Sequence, residues 1–149
     1  MTSVFDVANW FLSKGSITHK KLQKLCYYSQ AWYCALYDGT PLFIERIEAW
    51  VHGPVIPELY RIFAAFGWDE IPIYTGELSF TEKEIAVLEA VFNTYWKFSG
   101  NDLEELTHRE APWINARGDL SPWEPGTNEI TPTALREYYS ARYQEAQND

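Results

Sequence analysis

Proton transfer, nucleophilic attack and metal ligation fall mainly to His, Cys and acidic side chains, and this 149-residue chain has three histidines and two cysteines. His19, His52 and His108 are spread along it, and only His108-Arg109-Glu110 sets a histidine close in sequence to an acid. Such a pair can serve as general base and orienting group if a cavity brings both to a substrate. A zinc site needs about three or four converging ligands, and no HExxH or CxxC spacing supplies them, so no metal is expected. Glycine-rich phosphate loops and the GxSxG elbow are also missing, which removes the usual nucleotide, dinucleotide and serine-hydrolase signatures. His52 and His108 therefore have two readings. They form a pH-sensitive or partner-contacting pair, or each imidazole satisfies backbone or carboxylate groups at a tight corner, the commoner use of a buried polar ring.

The corner that would hold His52 is Ala49-Trp50-Val51-His52-Gly53-Pro54-Val55-Ile56-Pro57. Gly53 reaches backbone angles closed to other residues, Pro54 fixes its own φ, and Pro57 suits the first turn of a helix. Before the corner, Thr18 caps a long helix to Leu36. Leu22, Leu25, Cys26, Ser29, Trp32, Tyr33 and Leu36 share its apolar face, and Lys20, Lys21 and Lys24 lie on a solvated one. Residues 44–51 alternate as a short strand, with at most a small hairpin. Helices are expected over 4–13 (Ser3 cap), 57–66 (Leu59, Ile62, Phe63 and Phe66 inward), 81–98 (Thr81-Glu84 capping box), 102–109 and 132–144. A short turn surrounds Pro112-Trp113, and 118–130 reads as loop. The fold class is mainly α: a compact single-domain bundle of about six helices with one extended segment around 44–51.

Aromatic residues make up 17% of the chain, which argues against disorder. Tyr27, Tyr28, Trp32, Trp50, Tyr60 and Trp113 are either core or exposed anchors for a protein partner. Neighbours on a helix point about 100° apart, so one of Tyr27 and Tyr28 is expected to face outward. Twelve Lys and Arg against 21 Asp and Glu give a net charge of −9. That field disfavours nucleic acid and favours a basic protein. Cys26 and Cys34 sit about 12 Å apart on one helix, too far to bridge, and suit a reducing compartment. With no leader and no apolar run of membrane-spanning length, a soluble cytoplasmic protein is expected.

Three blocks carry a family resemblance: KLQKLCYYSQAW, IEAWVHGPVIPELY and LEELTHREAPWINAR. In this order, over about residues 4–117, they resemble the Panacea antitoxin domain, the SocA-like domain of phage-associated proteins. The resemblance implies an antitoxin of a type II-like toxin–antitoxin system that neutralises a co-encoded toxin by direct binding. Because the blocks start almost at the first residue, operator binding by an added module is not expected. An adaptor delivering a toxin to a cellular protease is the alternative within the family, and a small hydrolase using His52 or His108 the alternative outside it. The implied partner is a cognate toxin, basic in charge; a homodimer stays open, and no cofactor, membrane or catalytic residue is expected. Candidate toxin-binding residues are Lys21, Lys24, Tyr27, Tyr28, Trp32, Trp50, His52, Tyr60 and Trp113. Gly53, Pro54, Val55, Pro57, Thr107, His108 and Pro112 are the motif residues with structural roles.

Overall fold

Helix α2 (His19–Leu36) is the element on which the others pack. The structure, a computed structural model, describes residues 1–148. Thr18 starts α2 by accepting a hydrogen bond from the Lys21 amide at 3.3 Å. Around it lie α1 (Val4–Leu12), α3 (Pro57–Phe63, continued by a 3-10 turn to Phe66), α4 (Glu82–Tyr95), α5 (Gly100–Thr107), α6 (Ala111–Arg117) and α7 (Pro132–Asn148). Ser3, Thr81 and Ser99 each complete a capping box with the acid three residues on, which fixes where α1, α4 and α5 begin. The protein is thus mainly helical, with seven helices among the described residues. The seventh is α6, which sequence predicts as a turn. Pro112 sits in its first turn, where a missing amide hydrogen is no loss.

Extended structure is more plentiful than the sequence suggests. Strand β2 (Ile47–Trp50) pairs antiparallel with β3 (Gly53–Val55), Trp50 facing Gly53, so the corner is a tight hairpin turning at Val51-His52. On its other side β2 pairs with β5 (Glu129–Ile130) from the segment that reads as loop. A two-stranded ladder joins β1 (Ile17–Thr18) to β4 (Glu70–Ile71). Pro54 is tolerated because β3 is an edge strand, with no neighbour asking for its amide hydrogen.

Residues 22–31 of α2 are all buried, because α1, α4, α5, α7 and β3 enclose the helix on every side. Two expectations fall with this. Lys24 is only 2% exposed rather than part of a solvated face, and Tyr27 and Tyr28 are both fully buried. Successive side chains do diverge, but each finds its own neighbour, so neither needs to face outward. Conversely, Ile62 and Leu36, expected inside, are exposed, because α3 and the end of α2 extend past the layer that would cover them. Fully burying a Leu such as Leu22, Leu25 or Leu88 contributes about 1.5–3 kcal/mol. Two glutamines of α2, about two turns apart, hold the segment that carries the hairpin. Gln30 accepts from the Leu42 amide and donates to the Phe43 carbonyl, each at 2.7 Å. Gln23 accepts from the Ile56 amide at 2.8 Å and donates to its carbonyl at 3.1 Å.

Candidate functional site

The first turns of α2 present His19, Lys20, Gln23 and Lys24 to the hairpin. Since the Ile56 amide needs an acceptor, the Gln23 oxygen faces it and the Gln23 amide nitrogen is left to donate to His19 Nε2 at 3.2 Å. His19 must accept there, so it is the neutral ring protonated at Nδ1. Burial, helped by the charge of Lys24, lowers its pKa to about 4, in agreement. Lys24 runs beneath Gly53 and donates from Nζ to the Pro54 carbonyl at 3.2 Å. Gly53 has φ of +104°, and a Cβ there would stand 2.9 Å from Lys24 Cε and 3.1 Å from Thr107 Oγ1. Glycine is thus required both by the turn and by the lysine under it. Burial, then the nearby Lys20 charge, lower the Lys24 pKa to about 7, while Glu104 pulls the other way.

From α5, Glu104 reaches the same corner. It forms an ion pair with Lys20 and lies 3.3 Å from His52 Nδ1 through its second oxygen. Burial works to raise the Glu104 carboxyl, but the contacts with Lys20 and His52 outweigh it and hold it below the usual range. Its Oε1 takes the Lys20 charge without a hydrogen bond of good geometry. His108 stacks on Trp113, ring centroids 3.9 Å apart, and its Nε2 has no hydrogen-bond partner among the described residues. Burial lowers its pKa despite the opposing pull of Glu104, and the charges of Lys24 and His52 act with burial. Trp113 Nε1 donates to the Trp50 carbonyl at 2.8 Å, and Arg117 donates to the carbonyls of Ala49, Ser121 and Glu124 at 3.2, 2.8 and 2.6 Å. Arg117 thereby ties the backbone of β2 to the loop that follows α6.

Between α2, the hairpin, α3 with the turn after it, and residues 125–127 lies a cavity of about 620 Å³. Trp50 and Tyr60, centroids 5.0 Å apart, form one wall with His19, which lies 5.2 Å from Tyr60. Trp68 stands at the rim, 79% exposed, with Lys20 Nζ 5.9 Å from its ring centroid.

The candidate residues divide over three places. Trp50, His52, Tyr60, Lys24 and the motif residue Val55 line the cavity; Gly53, Pro54 and Thr107 pack around Lys24, His108 stacks on Trp113, and Pro57 and Pro112 each sit in the first turn of a helix. Lys21 faces another recess, its ammonium bonded to the Trp96 carbonyl and 4.7 Å over the Trp96 ring. Tyr27, Tyr28 and Trp32 belong to a separate network. Tyr28 and Tyr139 donate to Glu110 Oε1 at 2.7 and 2.8 Å, Tyr27 and Tyr139 hydroxyls meet at 3.1 Å, and Trp32 donates to Tyr95 at 2.8 Å. Buried Tyr27, Tyr28 and Trp113 offer no surface to a partner in this conformation. The sequence misses Lys20, Trp68 and residues 125–127 as parts of the cavity, Glu104 as the acid behind it, and Glu110 and Tyr139 as parts of the network. Trp68, directly after the Gly67 helix stop, was the available signal; the Lys20–Glu104 pairing spans too much chain to be read locally.

Among the described residues no group of three or more His, Cys, Asp or Glu could hold a metal ion, and no helix is long and apolar enough to cross a membrane. Comparison with curated proteins and with solved structures gives no match. A family model, antitoxin SocA-like, Panacea domain, matches residues 22–114, the span in which Lys24, the hairpin, Glu104 and Trp113 converge. With well over half of its length matched, the chain belongs to the SocA-like Panacea-domain antitoxin family.

Proposed function

We propose that the protein neutralises a co-encoded toxin by direct contact, through the face around the His52 hairpin. The observation that carries this reading is convergence: residues of the first two sequence blocks line one cavity, the third block backs it through Glu104 on Lys20 and His52, and its rim exposes Tyr60, His52 and Trp68. Exposed aromatic rings around a recess are the usual anchors of a protein interface. The net charge of −9 steers a basic partner toward the molecule over longer range. Coexpression with the neighbouring gene product tests the reading. The parent chain is expected to restore growth and to copurify with the toxin. Trp68→Ala, at 79% exposure, is expected to shift stability by less than about 0.5 kcal/mol, and Tyr60→Ala, which loses its ring contacts with Trp50 and His19, by about 1 kcal/mol, yet both weaken copurification. No complex and no rescue would sink the proposal. Rescue that requires a host protease, with toxin levels falling, would favour the adaptor role instead.

One observation favours catalysis as a second reading: His52 lies 3.3 Å from Glu104 beside the cavity. Neither Ser nor Cys lines the cavity, however, and Lys20 already engages the same carboxylate. Turnover of a p-nitrophenyl ester that vanishes in His52→Ala would establish it; an inactive parent chain disposes of it for that substrate class.

A further inference from the structure

The cavity wall has the opposite charge to the chain. Apart from the Tyr60 phenol, its ionisable side chains are His19, Lys20, Lys24 and His52, all basic, in a protein with 21 acids and 12 Lys and Arg. Glu104 pairs with Lys20 and His52 from behind and does not line the space. Lys24 is 2% exposed and gives one hydrogen bond, to the Pro54 carbonyl, whereas an ammonium carries three donors. A buried cation so sparsely paired is costly, and an anion supplied from the cavity side would complete it. Beside these cations the wall is apolar, built by Trp50, Val55, Tyr60, Ala64 and Trp68.

We propose that this cavity receives an acidic residue of the partner protein flanked by a bulky apolar one, the carboxylate pairing with Lys20 and Lys24 while the apolar side chain enters between Tyr60 and Trp68. The identity of the partner rests on the antitoxin reading; the chemistry of the cavity does not. The volume, about 620 Å³, lies within the range of about 300–1,000 Å³ typical of ligand sites. The exposed aromatic rim suits a protein segment, whose neighbouring residues can cover Trp68 in a way a free anion cannot. A second copy of this chain is disfavoured as occupant because two bodies of charge −9 repel. Seating a carboxylate beside Lys24 favours its charged form, so binding takes up a proton and weakens as pH rises above 7. Lys20, His19, Glu104 and His108 share that surrounding field.

The test is an NMR titration of the full chain with two blocked peptides, acetyl-Phe-Glu-Phe-amide and acetyl-Phe-Gln-Phe-amide, following the Trp50 and Trp68 indole signals. The Glu peptide is expected to bind about tenfold tighter, the worth of one charge-assisted hydrogen bond, with the preference shrinking at pH 9. Lys24→Met should erase most of the preference. Because that change is internal, Lys20→Met at the cavity wall provides a second variant, with thermal melting confirming the fold of both. Equal binding of the two peptides would overturn the proposal, as would shifts confined to tryptophans away from the cavity. Phenylacetate binding as tightly as the Glu peptide would replace it with a small-anion site, and dimerisation blocked by Trp68→Ala would replace it with a self-interface. Peptide failure with growth rescue intact removes this inference alone; failed rescue with peptide binding intact removes only the antitoxin reading.

Discussion

Lys24, near the start of α2, and Glu110, packed against its middle, are both buried ionisable groups, and their surroundings differ in completeness. Glu110 has two tyrosine hydroxyls on a single oxygen, and behind them Tyr28 stacks on Tyr95 with centroids 4.1 Å apart. The rings of Tyr28, Tyr95 and Tyr139 pack around that carboxyl, and no cavity is seen beside it among the described residues. Lys24 has one carbonyl acceptor, a second lysine close enough to depress its pKa, and a cavity alongside. A satisfied polar network specifies how a core packs; a cation left short of acceptors next to open space specifies where something else can dock. The α2/α4/α7 end of the molecule is finished, and the α2/hairpin end is prepared.

The largest expected effect tests the finished end. Tyr28→Ala removes a fully buried ring and strips Glu110 of a donor, and should cost about 4 kcal/mol in urea unfolding, with Tyr28→Phe costing about 1–2. A loss below about 1 kcal/mol for the alanine variant would mean that this end is not closed. Next, Gly53→Ala should cost about 2 kcal/mol, since it combines a positive φ with a Cβ set against Lys24 and Thr107. Unlike Tyr28→Ala, it should also distort the hairpin that carries Trp50 and His52, visible as displaced Trp50 and Trp113 indole signals.

The smallest effect is the most discriminating, because the two groups respond to pH with opposite signs. Lys24 has a folded pKa near 7 against an ordinary value of 10.5, so between these values the unfolded chain holds a proton that the folded one has released. Stability should therefore rise with pH across that window. Lys24→Met, lacking the group, should lose this rise and be the more stable protein at pH 6. Burial raises the Glu110 carboxyl above 4.5 although both tyrosine hydroxyls oppose it, so just above 4.5 the folded chain keeps a proton that the unfolded one has lost. That contribution falls as pH rises through the folded value, and Glu110→Gln should remove the fall. Slopes of the same sign for Lys24 and Glu110, each taken against its variant, would break the contrast.

What sequence discloses here follows from range. Ser3, Thr18 and Thr81 announce their helices because a cap is closed within three residues, and all three caps form. The stiff corner is equally local: Gly53 and Pro54 turn the chain wherever it goes. The pairing of β2 with β5 depends on a segment about eighty residues away presenting two residues in register, which no period records. Lys24 is the instructive miss. Three lysines on a helix read as a wet face, and only the arrival of the hairpin and α5 makes one of them internal. The same holds for Tyr27 and Tyr28, which are covered by rings from α4 and α7, far along the chain. Within the candidate site, Trp50, His52 and Tyr60 are legible from the corner, whereas Glu104 and residues 125–127 join it only through the tertiary fold.

Gln23 and Gln30 fasten the chain at Ile56 and at Leu42-Phe43 with the two-way pattern that a neighbouring strand would offer. The stretch between those fastenings is a handle bolted to one rod at both ends. Extra residues inserted at its exposed Val51-His52 turn would extend outward, into solvent, while the bolts, the paired strands and the rod keep their places. The contour shown to another molecule can thereby be reshaped without disturbing the interior.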